Sequence, residues 1–221
     1  MAARRSATPV PAAPEAPRDC ALCPRLSAFL VAQREAEPGW HNAPVPSFGV
    51  PTARLLIVGL APGLRGANRT GRPFTGDFAG DLLYSTLIEY GFAEGKFEAR
   101  PDDSLRLIDC MVSNAVRCVP PENKPTPLEI NTCRRFLAAR IGALPRLAAI
   151  VVLGRIAHDS TLAAFDLRKS LYRFAHGARH ALPSGLSLYD SYHCSRYNTN
   201  TGVLTPDMFR AVFSAVRRDL G

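Results

Sequence analysis

The sequence predicts an α/β protein of three layers (α/β/α), in which helices cover both faces of a central, mostly parallel sheet of four strands. Two observations support this prediction. Short apolar runs rich in β-branched residues alternate with longer segments whose apolar residues recur at helical spacing. Such alternation is typical of parallel strands joined by crossover helices. The chain has 221 residues and 47% hydrophobic content, which is enough for one sizeable core.

The beginning of the chain differs from the rest. Residues 1–18 are rich in Ala, Pro and Arg and lack hydrophobic periodicity, which predicts a disordered basic tail. Residues 19–221 are expected to form one domain. After Pro24 the apolar residues follow helical spacing, so a helix is expected to begin beside the C-x-x-C pair of Cys20 and Cys23.

Eight further segments make up the predicted sheet and its helices. The first strand, RLLIVG, is a nearly continuous apolar run of the kind found in strands buried on both faces. The predicted strands are Arg54–Gly59, Leu105–Val116, Ala148–Leu153 and Leu186–Tyr192. The predicted helices are Phe78–Tyr90, Leu128–Ile141, Arg155–Phe165 and Pro206–Arg217.

Polar loops follow the predicted strands, where parallel sheets bind their ligands. The first loop, GLAPGLRGANRTGRPFTGD over residues 59–77, contains small residues that let the backbone approach a ligand closely. It also carries an aromatic ring at Phe74 and a carboxylate at Asp77, and it matches neither the P-loop nor the dinucleotide fingerprint. Asp77 could face a ligand, or it could simply cap the helix that follows.

The other strand-end loops carry a histidine and several cations. His193 follows the fourth strand, where it is either a structural histidine or part of a site. Cations in these loops would either meet phosphates or remain solvated. The chain has 27 Lys and Arg against 19 acidic residues, a net charge of +8 that favours nucleic acid as a partner. The loop cations are Arg65, Arg69, Arg72, Lys124 and Arg196.

Four cysteines form two pairs, Cys20 with Cys23 and Cys118 with Cys133. No apolar stretch reaches the ~18 residues of a membrane helix, and no signal peptide is evident, so a soluble cytoplasmic protein is expected. Disulfides are rare in that compartment. Four thiolates from two distant segments suit an iron–sulfur cluster, although zinc and a C-x-x-C redox motif remain open. Cys110 lies in an apolar run and is expected to be a small buried hydrophobe.

The segments GLAPG, GRPFTGD, RCVPPENKPTP and SYHCSRYNTNTG, in this order and together with the four cysteines, resemble the uracil-DNA glycosylase superfamily, specifically its iron–sulfur type B branch (family 5). The resemblance extends from Cys20 to the C-terminus. It implies a structural [4Fe-4S] cluster on Cys20, Cys23, Cys118 and Cys133. It also implies a monomeric enzyme that hydrolyses uracil, and deaminated bases such as hypoxanthine, from DNA and leaves an abasic site.

The resemblance further implies roles for individual residues. Ala61 stands where better-known uracil glycosylases carry a catalytic Asp or Asn, and Asp77 takes over by stabilising the sugar cation and orienting water. His193 would donate a hydrogen bond to the uracil O2 as a neutral imidazole. Phe74 would stack on the extruded base, and Gly59 and Ala61 would lie in the base pocket.

Two asparagines match base-recognition positions of the superfamily. Asn123 matches the residue of this branch and is the first choice, while Asn114 lies at a strand end where other branches place theirs. An amide offers an acceptor and donors complementary to the uracil N3–H and O4. Two other functions remain open: a non-catalytic nucleic-acid-binding module held together by the metal, and electron transfer through the cluster.

Overall fold

The computed structural model describes residues 14–221. Its main sheet has six strands in the spatial order β1-β5-β2-β6-β8-β7, and a small hairpin pairs β3 with β4. The strands are β1 (Phe48–Gly49), β2 (Leu55–Gly59), β3 (Ala93–Glu94), β4 (Arg106–Leu107), β5 (Cys110–Asn114), β6 (Ala149–Leu153), β7 (Arg179–Ala181) and β8 (Ser187–Ser191). The helices are α1 (Pro24–Ala36), α2 (Ala67–Thr70), α3 (Phe78–Glu89), α4 (Pro127–Gly142), α5 (Arg155–Ala164), α6 (Arg196–Asn200) and α7 (Pro206–Leu220).

The four central strands β5, β2, β6 and β8 are parallel, as the sequence predicts. The sheet is larger than predicted, because β1 and β7 add antiparallel strands at its two edges. These edge strands have two and three residues, too few for an apolar pattern to form. The predicted strand Leu105–Val116 is divided into β4 and β5 at Asp109, whose φ of 52° is left-handed and breaks the extended backbone.

Successive residues of the central strands supply two different cores. Leu55 and Ile57 of β2 pack into the core that includes Leu83 of α3 and Phe213 of α7. The neighbouring residues of the same strand, Leu56 and Val58, belong to the opposite core, together with Leu137 of α4 and Leu162 of α5. Each face of the sheet is therefore covered by two helices, which gives the expected three layers.

The predicted disordered tail extends too far along the chain. Residues 1–13 lie outside the described residues, but Pro14, Glu15 and Ala16 contact the domain. Glu15 is the anchor, because its carboxylate pairs with the buried Arg117 at 3.1 Å and with Arg140, and it accepts a hydrogen bond from the Ser47 amide at 3.1 Å. A single carboxylate within an Ala/Pro-rich segment gives no periodic signal, so the sequence does not predict this contact.

No helix in the described part of the chain is long and apolar enough to cross a membrane.

Candidate active site

A cleft of about 660 Å³ opens at the carboxyl ends of the central strands. Its walls come from the loops after β2, β5 and β8, which sequence analysis singles out. Eight of the candidate residues line it: Ala61, Arg65, Phe74, Asp77, Asn114, Asn123, His193 and Arg196.

Asp77 immediately precedes α3, yet its side chain makes no capping hydrogen bond to the helix. Its Oδ1 atom is buried and has no hydrogen-bond partner among the described residues. Burial raises the pKa of the Asp77 carboxyl above its ordinary value of 3.8, and the nearby backbone amides of Ala79 and Gly80 only partly oppose this shift. A buried acceptor without a donor is unfavourable in an isolated protein. The geometry therefore favours a ligand-facing carboxylate over a simple helix cap.

Phe74 is 7% exposed and adopts a left-handed φ of 52°, which turns its ring into the cleft. Gly59 makes room for this ring. A Cβ at Gly59 would lie 2.5 Å from the Phe74 Cζ and 2.5 Å from the Asn114 Oδ1. The glycine that ends β2 thus lets an aromatic ring and an amide meet at the floor of the cleft.

Arg72, predicted from the sequence to contact DNA phosphate, instead belongs to the scaffold of this loop. Its guanidinium forms a two-pronged ion pair with Asp103, at 2.8 and 2.7 Å, and bonds the Thr75 hydroxyl at 2.8 Å. It lies 5.1 Å from the centre of the Phe48 ring and is only 5% exposed. Because its donors are already used and it is buried, we correct its assignment to a structural role that supports Phe74.

His193 lies in the loop after β8. The centre of its ring is 5.9 Å from the centre of the Phe74 ring, and the two ring planes make an angle of 28°. The loop is held by Asn198, whose side-chain amide donates to the His193 carbonyl at 2.8 Å. Burial lowers the pKa of His193 to about 4. The imidazole is therefore neutral at pH 7 and can donate only one ring N–H.

The end of β8 is fixed by a buried acid–histidine cluster. Asp190 bonds His158 Nδ1 at 2.7 Å and His180 Nε2 at 3.0 Å, and its Oδ2 accepts from the Ala175 amide at 3.2 Å. His158 also contacts the Tyr172 carbonyl through Nε2 at 2.8 Å. Asp190 comes three residues before His193, so the cluster anchors the strand from which the active-site loop departs.

The two candidate asparagines take different positions in the cleft. Asn114, at the end of β5, is 3% exposed, and its Oδ1 is buried with no partner among the described residues. Asn123 is exposed at the rim, where it and Glu122 have left-handed φ values of 57° and 55°. Asn114 thus belongs to the floor, and Asn123 to a strained loop above it.

The remaining loop cations are exposed. Arg65 and Arg196 stand at the cleft, and the Arg196 guanidinium lies 5.3 Å from the centre of the Phe78 ring. Arg69 and Lys124 lie outside the cleft lining. Sequence analysis did not single out Tyr197, the next residue of α6, which is 74% exposed. The motif SYHCSRYNTNTG contains Tyr197, but a sequence pattern does not indicate whether a single aromatic side chain is exposed.

The four paired cysteines line one small apolar cavity together with Ala16, Leu26 and Phe136. In the part of the chain that the structure describes, no three of their sulfur atoms lie within 4.8 Å of one another. A single tetrahedral zinc would draw its sulfur ligands to about 3.8 Å, given Zn–S bonds of about 2.3 Å. The backbone N–H of Arg117 donates to the Cys133 sulfur at 3.2 Å. The four thiols around this cavity are a candidate set of metal ligands.

The cysteine cavity is connected to the Asn123 loop by Arg25 of α1, two residues after Cys23. The Arg25 guanidinium pairs with Glu129 at 2.8 and 2.7 Å and donates to the Lys124 carbonyl at 3.1 Å. Glu129 in turn closes a capping box with Thr126 at the start of α4. Hydrogen bonds of Arg25 thus connect α1, beside the cysteine cavity, to the loop that carries Asn123.

The fold and the cleft together define an α/β protein with an enzyme-type site, in which an acid, a neutral histidine and an amide meet at the carboxyl ends of parallel strands. Residues 46–217 match the family model described as the Uracil DNA glycosylase superfamily, and the chain belongs to this superfamily.

Individual relatives show which members of the superfamily this chain is similar to. A type-5 uracil-DNA glycosylase of Thermus thermophilus is 50% identical over 208 residues, which cover 91% of this chain and 94% of the relative. The type-5 enzyme of Mycobacterium tuberculosis is 39% identical, with 91% and 78% covered. A type-4 uracil-DNA glycosylase of Archaeoglobus fulgidus is 36% identical over 56% of this chain and 54% of its own length.

Proposed function

We propose that the protein is a DNA repair glycosylase that extrudes uracil from DNA and hydrolyses its N-glycosidic bond. The observation that supports it most is the meeting of Asp77, His193, Phe74 and Asn114 in one cleft. The proposal is also supported by similarity to type-5 uracil-DNA glycosylases, which extends over 91% of this chain. The products are free base and an abasic site, as base excision repair requires.

Recognition begins with extrusion of the nucleotide, because a stacked base cannot be reached by side chains. The extruded uracil stacks on Phe74. Its Watson–Crick edge is read at the floor of the cleft, where the unpaired Oδ1 of Asn114 accepts the N3–H. The resemblance points first to Asn123, but burial and the free acceptor favour Asn114 for the edge of the base. Asn123 then covers the base from the rim loop.

Cleavage separates charge, and the cleft provides a group for each side. Positive charge develops on the sugar, where the Asp77 carboxylate stabilises it and orients the attacking water. Negative charge develops on the departing base, where the neutral His193 donates a hydrogen bond to O2. The water oxygen bonds to C1′, the N-glycosidic bond breaks, and the released proton passes to solvent or to the base. The cleft lining within residues 14–221 contains no lysine, so we propose hydrolysis without strand cleavage.

DNA binding uses the exposed cations around the cleft. Arg65 and Arg196 line the cleft and are proposed to contact phosphates beside the extruded nucleotide, and the exposed Arg69 and Lys124, outside the cleft lining, are proposed to contact phosphates further away. The net charge of +8 adds a sequence-independent attraction that weakens with salt. Tyr197, exposed next to Arg196, is available to contact the duplex bases.

The cysteines are proposed to hold a [4Fe-4S] cluster through Cys20, Cys23, Cys118 and Cys133. Such a cluster would act as a structural crosslink, and through Arg25 it would also support the Asn123 loop. The purified protein should be brown with broad visible absorption and four irons per chain. A colourless protein containing one zinc would contradict the proposal.

The proposal also includes a second substrate, the oligomeric state and the cellular compartment. We propose hypoxanthine as a further substrate, because the family resemblance implies deaminated bases beyond uracil. We propose that the protein acts as a monomer in the cytoplasm. A non-catalytic binding module would explain the positive charge, but it would give no reason to bury an unpaired carboxylate in a surface for a polyanion.

The test is base release from labelled oligonucleotides containing uracil, hypoxanthine or cytosine, followed by alkali to cut abasic sites. We expect cleavage at uracil, weaker cleavage at hypoxanthine and none at cytosine, with no cleavage before alkali. Binding without release of any base would favour the non-catalytic module.

A further inference from the structure

The Asp77 carboxylate rests against backbone that carries no side chains. A Cβ added at Gly66 would overlap the Asp77 Oδ2 and lie 2.9 Å from Cγ. A Cβ at Gly63 would meet the same oxygen at 2.9 Å but would stay 4.0 Å from Cγ. Real Cβ atoms essentially never approach so closely, so the carboxylate occupies space that only glycine leaves free.

Hydrogen bonds hold the backbone of Gly63 and Gly66 in place. The Gly63 carbonyl accepts the Asn68 amide at 3.0 Å, and the Gly66 carbonyl accepts the Arg69 and Thr70 amides at 3.0 Å each. Asn68 is fully buried, and its side-chain amide bonds Asn42 at 2.8 Å. Because the turn is held by hydrogen bonds from Asn68, Arg69 and Thr70 of α2, a new methyl group would displace the carboxylate rather than the backbone.

We infer that Gly66, and to a smaller extent Gly63, are positioning residues that seat the Asp77 carboxylate at the wall of the cleft. This inference rests on the proposed role of Asp77. The turn decides where the acid lies, so the two glycines, although they also line the cleft, are proposed to act through the carboxylate. Since a misplacement of about 1 Å at a reacting group can reduce rates about 100-fold, the effect should be large on catalysis and small on DNA binding.

The experiment is a double-mutant cycle on Gly66→Ala and Asp77→Ala. Single-turnover cleavage rates and DNA dissociation constants are measured with a uracil-containing duplex. Gly66→Ala should lower the rate about 100-fold and change the dissociation constant less than about twofold. In the Asp77→Ala background the clashing oxygen and Cγ are gone and only a 3.1 Å contact with the Cβ of residue 77 remains, so Gly66→Ala should lower the rate far less than it does when Asp77 is present.

Three more variants complete the test. Gly63→Ala, which creates the milder contact, should give a smaller rate loss that also disappears in the Asp77→Ala background, and it serves if Gly66→Ala does not fold. Gly39→Ala is the matched control, because a Cβ there meets no atom within 4 Å and the rate should be unchanged. Gly142→Ala, equally open, repeats the control within a helix.

The outcomes separate the inference from the function on which it rests. A near-normal rate in Asp77→Ala overturns the catalytic role of Asp77 and the inference with it. A severely impaired Asp77→Ala beside normal Gly66→Ala and Gly63→Ala proteins overturns the inference alone. So does a rate in the double variant far below that of Asp77→Ala, because Gly66 would then act independently of the carboxylate.

Discussion

Buried polar groups lie both in the cleft and beside the cysteine cavity, but these groups differ in their hydrogen-bond partners. In the cleft, the Oδ1 atoms of Asp77 and Asn114 are buried without partners in the described residues. Beside the cysteine cavity, the Nη atoms of Arg117, whose side chain is fully buried, donate to Glu15, to the Ser47 hydroxyl and to the Pro14 carbonyl. The Nε of Arg117 and the Oδ1 of Asn68 are also buried without partners in the described residues, so what marks the Asp77 and Asn114 oxygens as completed by a ligand is that they lack partners and line the cleft.

The charge states follow the same division. Burial raises the pKa of Asp77 and lowers that of His193 to about 4, with no opposite charge bonded to either group. Burial also lowers the pKa of Arg117, but the neighbouring Glu15 carboxylate opposes that shift. Desolvation is therefore the largest influence on the pKa values of Asp77 and His193 in the cleft, whereas the scaffold holds ion pairs.

The largest expected effect is on catalysis in the cleft. Asp77→Asn keeps the shape of the side chain but removes its charge, so the rate of uracil release should fall about 10²–10³-fold while DNA affinity is retained. The measurement is single-turnover kinetics alongside equilibrium binding. Asp81→Asn, an exposed acid in the first turn of the same helix, is the control and should keep its rate. Equal losses in both variants would contradict a special role for Asp77.

The next effect concerns stability near the cysteine cavity. Glu15→Ala leaves the Arg117 cation buried without its carboxylate, so the free energy of unfolding should fall by about 3 kcal/mol. Denaturant unfolding measures this change. As a control, Glu89→Ala breaks an ion pair with Arg210 in which the side chains are 47% and 39% exposed, and it should cost about 0–1 kcal/mol. Equal destabilisation by both would remove the distinction between the scaffold and the surface.

A smaller effect separates the two asparagines of the cleft. Asn114→Ala should lower uracil release about 10–100-fold, because one buried hydrogen bond to the base is lost. Asn123→Ala removes a rim contact and should lower it less. Rates with uracil and hypoxanthine substrates provide the measurement. A larger loss for Asn123→Ala would move base reading from the floor to the rim.

The pH dependence should be mild near neutrality. Asp77 must be ionised, and its pKa lies above 3.8, so kcat/KM should fall on the acid side with a midpoint above that value. His193 remains neutral until about pH 4 and should add no loss between pH 6 and pH 8 by itself. In Asp77→Asn the acid limb above pH 4 should disappear. A limb that persists near pH 6.5 in that variant would assign an ordinary, solvated histidine to the reaction.

The sequence predicts the four parallel strands and the loops that form the cleft, because long apolar runs and polar strand ends leave strong local patterns. It does not predict the edge strands β1 and β7, which are set by pairing with the sheet. The structural roles of Arg72 and Glu15 are not predicted from the sequence for a related reason. Each is a charged residue in a polar or Pro-rich segment, and its burial depends on a distant partner, Asp103 or Arg117.

The same limit applies to the details of the site. Phe74, Asp77 and His193 are found from motifs, but the unpaired oxygen that distinguishes Asn114 from Asn123 exists only once β2 and β5 are in register. Gly63 and Gly66 are visible as glycines in the sequence. Their contact with the Asp77 carboxylate appears only when the chain folds back on itself.

The most direct test of the difference between the two regions is a crystal structure of the Asp77→Asn protein with a duplex containing uracil. We predict the uracil outside the stack, lying on Phe74, with its N3–H bonded to the Asn114 Oδ1, His193 at O2 and residue 77 beside the sugar. A uracil that remains stacked in the duplex, or that binds away from the cleft, would contradict the account.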